Sequence, residues 1–151
     1  MTLRSNLRIS SKRISDWKLT FVARNISNPE SRTPFSKKLS MLTKDHHCLE
    51  AIFEATDRII EYTSEFKTAD DFNNDHRNFD AAMMNFVVIG EMVDKLSDDL
   101  KENNPNIEWI KIKGFRNLVA HDYFGIDAEE VWQIIKTKIP KLRSDITNLL
   151  D

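Results

Sequence analysis

Residues 78–101, NFDAAMMNFVVIGEMVDKLSDDLK, decide the fold class of this chain. Apolar side chains recur in this stretch at intervals of three and four, which is the spacing of one face of an α-helix. They are Phe79, Ala82, Met83, Phe86, Val87, Gly90, Val93, Leu96 and Leu100. Because the apolar arc is wide near the middle, we expect this helix to be the most buried element of a helical domain. The run 103–106, NNPN, is expected to end it.

The flanking sequence predicts further helices on both sides of this stretch. Residues 44–64 carry one amphipathic stripe, and residues 68–77 read as a polar connection. A short helix is expected over 108–121 and a last one over 127–150, with a kink or break at Pro140. The pattern predicts an all-α, up-and-down bundle of four main helices plus a short helix.

The composition restricts the class of protein. With 40% hydrophobic and 30% charged residues, the chain is typical of a soluble globular protein, and no apolar run is long enough for a membrane span. Its 3 glycines and 4 prolines argue against a β fold with many turns. The single cysteine, Cys48, excludes a disulfide within one chain and favours the reducing cytoplasm.

Charge divides the chain into two pieces. Residues 1–40 contain nine Lys and Arg and two acids, a net charge of +7, which leaves −9 for residues 41–151. We therefore predict a basic leader at 1–40 and a helical domain at 41–151. The leader resembles a transit peptide in composition, and it also fits a basic arm for nucleic acid. We favour a third interpretation, a disordered or non-native leader, because the helical pattern begins directly after Met41.

The segment 108–123 collects polar side chains on one helix face. With Arg116 at 0° and about 100° per residue, Lys113 falls at about 60°, Asn117 at about 100°, His121 at about 140° and Tyr123 at about −20°. The opposite face is predicted to be core, with Ile112, Phe115, Leu118 and Val119. A cation, an amide, an imidazole and a phenol on one face can form a pocket for an anion.

These residue types suit the cleavage of RNA. The Arg116 guanidinium presents a planar fork of donors that matches phosphate oxygens, and His121 can take or give a proton near neutral pH. RNA carries its own nucleophile, the 2′-hydroxyl, so no metal and no cofactor are needed. His121 has no His or Cys at ligand spacing, so no metal site is predicted. On periodicity alone, a structural histidine near a helix end and a solvated arginine remain the alternative.

Residues 116–123, RNLVAHDY, resemble the Arg–x4–His–x–Tyr motif of the HEPN superfamily, and are most similar to its HepT-like branch of toxins. The resemblance covers residues 41–151. It extends to segments on both sides of the motif: Asn85, Ile89-Gly90-Glu91, Ile107-Glu108-Trp109, Gly114-Phe115, Phe124-Gly125-Ile126-Asp127, Val131-Trp132 and Ile139-Pro140.

The resemblance implies a homodimer in which two motifs face each other across a cleft. It implies that Arg116 and His121 are the catalytic pair of a metal-independent endoribonuclease, with Asn117 in support. It also implies a partner, a minimal nucleotidyltransferase antitoxin that silences the toxin by transferring AMP to Tyr123. Phosphate added there would place negative charge where the RNA phosphate should bind.

Two further residues are candidate supporting groups. Glu91 is either a rim carboxylate or an acid that orients Arg116 or His121, and Lys113 adds positive charge beside Arg116. A second function also fits the pattern. In this function, the domain is a non-catalytic subunit that binds nucleotide or substrate for the nucleotidyltransferase. The net charge of −9 favours it, because proteins that hold RNA by charge attraction tend to be basic.

Overall fold

The computed structural model describes residues 34–151, and this part of the chain is entirely helical. The α-helices are α1 Pro34–Thr63, α2 Ala69–Asn74, α3 His76–Lys95, α4 Asp98–Asn103, α5 Trp109–His121 and α6 Ala128–Leu150. A short 3₁₀-helix, Tyr123–Gly125, joins α5 to α6. The predicted all-α class is confirmed, and none of the described helices is long and apolar enough to cross a membrane.

The first helix begins earlier than its apolar stripe predicts. It starts at Pro34 and not near residue 44, so it extends across the expected boundary at residue 41. Proline is well tolerated in the first turn of a helix because the N–H that it lacks has no helical partner there. The rest of the predicted leader, residues 1–33, lies outside the described residues, and its nature stays a prediction.

Phe72 explains why the predicted connection at 68–77 is wrong. This ring is fully buried, with its centroid 5.2 Å from that of Phe79 and 5.7 Å from that of Trp132. The Thr68 side chain accepts a hydrogen bond from the backbone N–H of Asp71 at 3.1 Å and so caps α2. A buried aromatic anchor and a cap stabilise this six-residue helix within a polar segment.

The predicted helix over 78–101 is two helices, because Ser97 interrupts it. The Ser97 side chain accepts from the backbone N–H of Leu100 at 3.3 Å, which makes Ser97 the N-cap of α4. Its own N–H donates to the Asp45 carboxylate at 2.8 Å, and its hydroxyl donates to the other oxygen of that carboxylate. Asp45 is a buried residue of α1, so this contact joins α1 to the turn between α3 and α4.

Of the kink or break predicted at Pro140, the break is absent, because α6 runs unbroken from Ala128 to Leu150. Because proline has no N–H, the carbonyl group one turn before Pro140 receives no helical hydrogen bond. Pro140 is exposed, so this carbonyl group lies near water. The buried stripe of α6 continues on both sides of the proline and holds the helix in place. It consists of Val131, Trp132, Ile135, Ile139, Leu142 and Ile146.

The α3 and α5 helices are antiparallel neighbours, and their contact positions the candidate site. Near the start of α3, Asp80 binds Tyr123, whereas near its end Asp94 binds Lys113. Between these contacts, a Cβ atom on Gly90 would lie 2.2 Å from the Arg116 Cβ, closer than any real contact. The absence of a side chain at Gly90 therefore allows α3 to approach α5 at Arg116.

Candidate active site

Arg116 lies between α3 and α5 with its charge surrounded by carboxylates. The side chain is 17% exposed; its Nε lies 3.2 Å from a Glu91 oxygen and its Nη2 lies 3.8 Å from an Asp94 oxygen. The Nε is buried and forms no directed hydrogen bond, so the Glu91 contact is an ion pair only. The Glu91 carboxylate therefore lies beside the Arg116 guanidinium, and its role in orienting Arg116 stays a prediction.

Asn117 and Lys113 also meet this cluster, each in a different way. The Asn117 side-chain oxygen accepts a hydrogen bond from Arg116 Nη1 at 2.8 Å. Lys113 contacts Asp94 and not Arg116, and its ammonium group donates to the Asp94 carboxylate. This hydrogen bond and the positive charges of Lys113 and Arg116 hold the pKa of Asp94 below its usual range. Asp94 therefore links the two cations.

Tyr123 is held by a second acid of α3, Asp80. The phenol hydroxyl donates to the Asp80 carboxylate, and the ring packs edge-on against Phe79 at 6.3 Å between centroids. Burial first, and then the hydrogen bond to Asp80 and the negative charge of Asp80, raise the pKa of Tyr123 to about 12. The phenol is therefore neutral at physiological pH.

His121 is the last residue of α5, and it is exposed. Its ring can therefore reach a bound ligand. The following residue, Asp122, ends α5. A Cβ atom on Gly125 would lie only 2.7 Å from the Asp122 carboxylate oxygens, so this carboxylate packs against Gly125. The structure thus brings Arg116, Asn117, Glu91 and Lys113 into one cluster, Tyr123 into a second, and leaves His121 open to solvent.

Two acids of this region, Asp80 and Asp94, are absent from the sequence-based site. Both lie on the face of α3 that carries Glu91, because the positions 80, 84, 87, 91 and 94 follow helical spacing. The spacing was visible in the sequence, but only the antiparallel contact of α3 with α5 shows that these acids meet Tyr123, Lys113 and Arg116.

The apolar face of α5 is less buried than the helical wheel predicts. Val119 is buried, whereas Leu118 is 40% exposed. Other exposed apolar side chains occur on the neighbouring elements, with Met84 of α3 at 62% and Phe124 of the 3₁₀-helix at 101%. The placement of Leu118 in the core was therefore wrong, because α5 packs against its neighbours along only part of its circumference.

A group with metal-ligand chemistry lies elsewhere, on α1. His46, His47 and Glu50 hold ligand atoms within 4.8 Å of one another, and all three residues are exposed. A Glu50 oxygen lies 3.5 Å from His46 and 3.1 Å from His47, so this carboxylate contacts both rings. Helix α1 contributes none of the predicted site residues, and this group is unconnected with the chemistry above.

The described residues form only helices, and an Arg–x4–His–x–Tyr motif lies at the end of α5. These are the features of a HEPN-superfamily protein. The chain belongs to the HepT-like family of that superfamily: a family model described as "Ribonuclease HepT-like" matches residues 52–149. The match includes every predicted site residue and both acids of α3 that bind them.

Curated relatives agree with this family. A protein of Methanocaldococcus jannaschii named "Putative RNase MJ1380" is 32% identical over 95 residues, which are 63% of this chain and 86% of the relative. A protein of Thermococcus cleftensis named "Probable ribonuclease HepT" is 33% identical over 101 residues, which are 67% of this chain and 91% of the relative. No solved structure matches the chain significantly.

Proposed function

We propose that this protein is the toxin of a two-gene toxin–antitoxin pair and that it acts in the cytoplasm as a metal-independent endoribonuclease. Membership of the HepT-like family and the names of its relatives support an RNase activity. The observation that carries the proposal is the anchored guanidinium of Arg116, on the same helix as the exposed imidazole of His121.

The proposed reaction is an attack by the RNA's own 2′-hydroxyl. The 2′-oxygen forms a bond to the adjacent phosphorus and the bond from phosphorus to the 5′-oxygen breaks, which leaves a 2′,3′-cyclic phosphate and a 5′-hydroxyl. His121 handles a proton, either from the 2′-hydroxyl or to the leaving 5′-oxygen. Arg116 stabilises the negative charge that grows on the phosphorane. No step requires a metal ion.

We also propose that the active form is a homodimer in which two motifs share one cleft. Exposed apolar side chains beside the motif support this arrangement, namely Met84 on α3, Leu118 on α5 and Phe124 after it. A second copy packed beside the motif would cover apolar surface of this kind. The cleft would then hold two histidines, which suits a reaction with two proton transfers.

Silencing is proposed to occur at Tyr123, through AMP transfer from a partner nucleotidyltransferase. Tyr123 follows His121 by two residues, so a nucleotide attached to it adds bulk and negative charge next to the catalytic pair. Arg116 would then pair with the attached phosphate and not with RNA.

One observation favours the second candidate function, a non-catalytic subunit that binds nucleotide or substrate for the nucleotidyltransferase. Glu91 and Asp94 already neutralise much of the charge of Arg116, and these acids repel an RNA phosphate. A binding role would need only a local anion contact, whereas cleavage needs Arg116 to remain available in the transition state.

A ribonuclease assay on the full chain, purified without AMP on Tyr123, separates the two functions. We expect RNA cleavage in the presence of EDTA, with losses of about 10²–10⁴-fold for His121→Ala and about 10²–10³-fold for Arg116→Ala. Matched controls are His47→Ala and Lys111→Ala, since both residues are exposed and lie outside the proposed site. Cleavage that survives His121→Ala contradicts the proposal, and binding of RNA without cleavage supports the binding subunit.

A further inference from the structure

The hydrogen bond between Tyr123 and Asp80 has no use in the cleavage chemistry proposed above. The phenol donates its proton to a carboxylate that reaches across from α3, although 43 residues separate the two in the sequence. Asp80 is itself exposed and the Tyr123 ring is partly buried, so the pair lies at the surface. A surface carboxylate is ordinarily hydrated, and here one of its oxygens binds the group that the proposed silencing modifies.

A phenol at this position is a poor nucleophile without a base. Burial and Asp80 raise its pKa to about 12, so the phenolate is a minor species at neutral pH. The other acids close to the motif are engaged elsewhere, since Asp94 binds Lys113 and the Asp122 carboxylate lies against Gly125. Among the contacts of the described residues, only Asp80 accepts a hydrogen bond from the Tyr123 hydroxyl.

We propose that Asp80 is the general base of its own chain's modification: it takes the phenolic proton as Tyr123 accepts a nucleotidyl group. The inference rests on the proposed silencing of the toxin and deepens that proposal. The toxin is the acceptor of AMP, and it would itself supply a catalytic residue for the transfer. The partner nucleotidyltransferase then needs to supply only the nucleoside triphosphate and its metal ions.

The step balances in atoms and charge. The Tyr123 oxygen forms a bond to the α-phosphorus of ATP while the bond from that phosphorus to the bridging oxygen breaks, and pyrophosphate leaves with the electron pair. The phenolic proton passes along the existing hydrogen bond to the Asp80 carboxylate and is then lost to water. The hydrogen bond already sets the distance and direction of this proton transfer.

The test compares variants of the full chain as acceptors of AMP. Each is incubated with ATP, Mg²⁺ and the proposed partner, a minimal nucleotidyltransferase, and AMP on Tyr123 is followed by mass spectrometry. We expect Asp80→Asn, which keeps the shape and removes the base, to slow transfer by about 10²–10⁴-fold. Asp80→Glu keeps a carboxylate and should recover part of the rate. The control Glu65→Gln removes an exposed acid between α1 and α2 and should leave the rate unchanged.

Two outcomes overturn the inference and can be told apart. If the wild-type chain accepts AMP and Asp80→Asn accepts it at the same rate, Asp80 is not the base, and the proposed silencing stands. If the wild-type chain accepts no AMP at Tyr123, both the inference and the proposed silencing fail.

A second measurement needs no partner and guards against misfolding. The phenol of Tyr123 is titrated by ultraviolet absorbance in a Tyr62→Phe background, which leaves it the only tyrosine of the chain. We expect Asp80→Asn to lower the pKa of Tyr123, because a neighbouring negative charge is removed. An unchanged pKa in a folded variant would show that Asp80 does not contact the phenol and would overturn the inference.

Discussion

Gly90 allows α3 to lie against the Arg116 side chain, and this one contact sets where the guanidinium can be. Since Gly90 is buried and a Cβ there would overlap both the Cβ and the Cγ of Arg116, no other amino acid fits without movement. The atoms in conflict are near the backbone and not at the flexible end of the arginine. An adjustment must therefore move α5 itself or rotate the whole Arg116 side chain away from Glu91.

Gly90→Ala is expected to lower the free energy of unfolding by about 1–3 kcal/mol, the usual effect of overpacking a tight contact. RNA cleavage should fall further than stability explains, because the Arg116 guanidinium is displaced. Urea denaturation and the ribonuclease assay measure the two effects.

Gly114→Ala is the matched control for this prediction. A Cβ on Gly114 meets nothing within 4 Å, and the residue lies inside α5. Alanine should therefore stabilise the helix by about 0.5–1 kcal/mol and leave cleavage unchanged. Equal behaviour of the two alanine variants would contradict the role given to Gly90.

The residue-scale predictions succeeded where they depended on local spacing and failed where they depended on a neighbouring helix. The face shared by Arg116 and Asn117 follows from helical geometry alone. The contact of Asp80 with Tyr123 spans 43 residues and depends on the register of α3 against α5, which no local pattern contains. Leu118 was misplaced for the same reason, since its exposure depends on which helices surround α5.

At the scale of elements, Asp45 connects α1 to the start of α4. Its carboxylate is buried, and it accepts both hydrogen bonds that Ser97 donates, one from the backbone and one from the hydroxyl. Asp45→Ala leaves two polar groups of Ser97 without their partner. We expect the free energy of unfolding to fall by about 1–3 kcal/mol, measured by urea denaturation.

An exposed ion pair, between Asp57 of α1 and Arg143 of α6, provides the comparison. Both side chains are exposed by about two fifths, 43% and 41%, so water screens their attraction. Asp57→Ala should therefore destabilise the protein much less than Asp45→Ala. A larger loss for Asp57→Ala would contradict the importance assigned to burial.

The two short helices α2 and α4 begin at capping signals, which a pattern of apolar residues does not contain. Each signal combines a cap residue with acids in the first helical turn. The first consists of Thr68 followed by Asp70 and Asp71, and the second of Ser97 followed by Asp98 and Asp99. These signals start α2 and α4, whereas the apolar pattern alone predicted a connection and one longer helix. The long helices were recognised because their stripes extend over several turns.

At the scale of the molecule, the proposed dimer accounts for the apolar side chains beside the motif. We expect light scattering at micromolar concentration to give twice the mass of the 17.7 kDa chain. The double variant Met84→Asp/Leu118→Asp should give a monomer with reduced cleavage, because each charge would be buried in the interface. Leu39→Asp is the control, since Leu39 is similarly exposed, at 55%, but lies on α1. A monomeric wild type would contradict the dimer and the shared cleft.

The most direct test of the account asks whether the RNA itself supplies the nucleophile. A synthetic RNA and the same sequence with a 2′-O-methyl group on every nucleotide are incubated with the unmodified full chain in EDTA. We expect cleavage of the first, with 2′,3′-cyclic phosphate ends that disappear with His121→Ala, and no cleavage of the second. Cleavage of the methylated RNA, loss of activity in EDTA, or an activity indifferent to both His121 and Arg116 would contradict it.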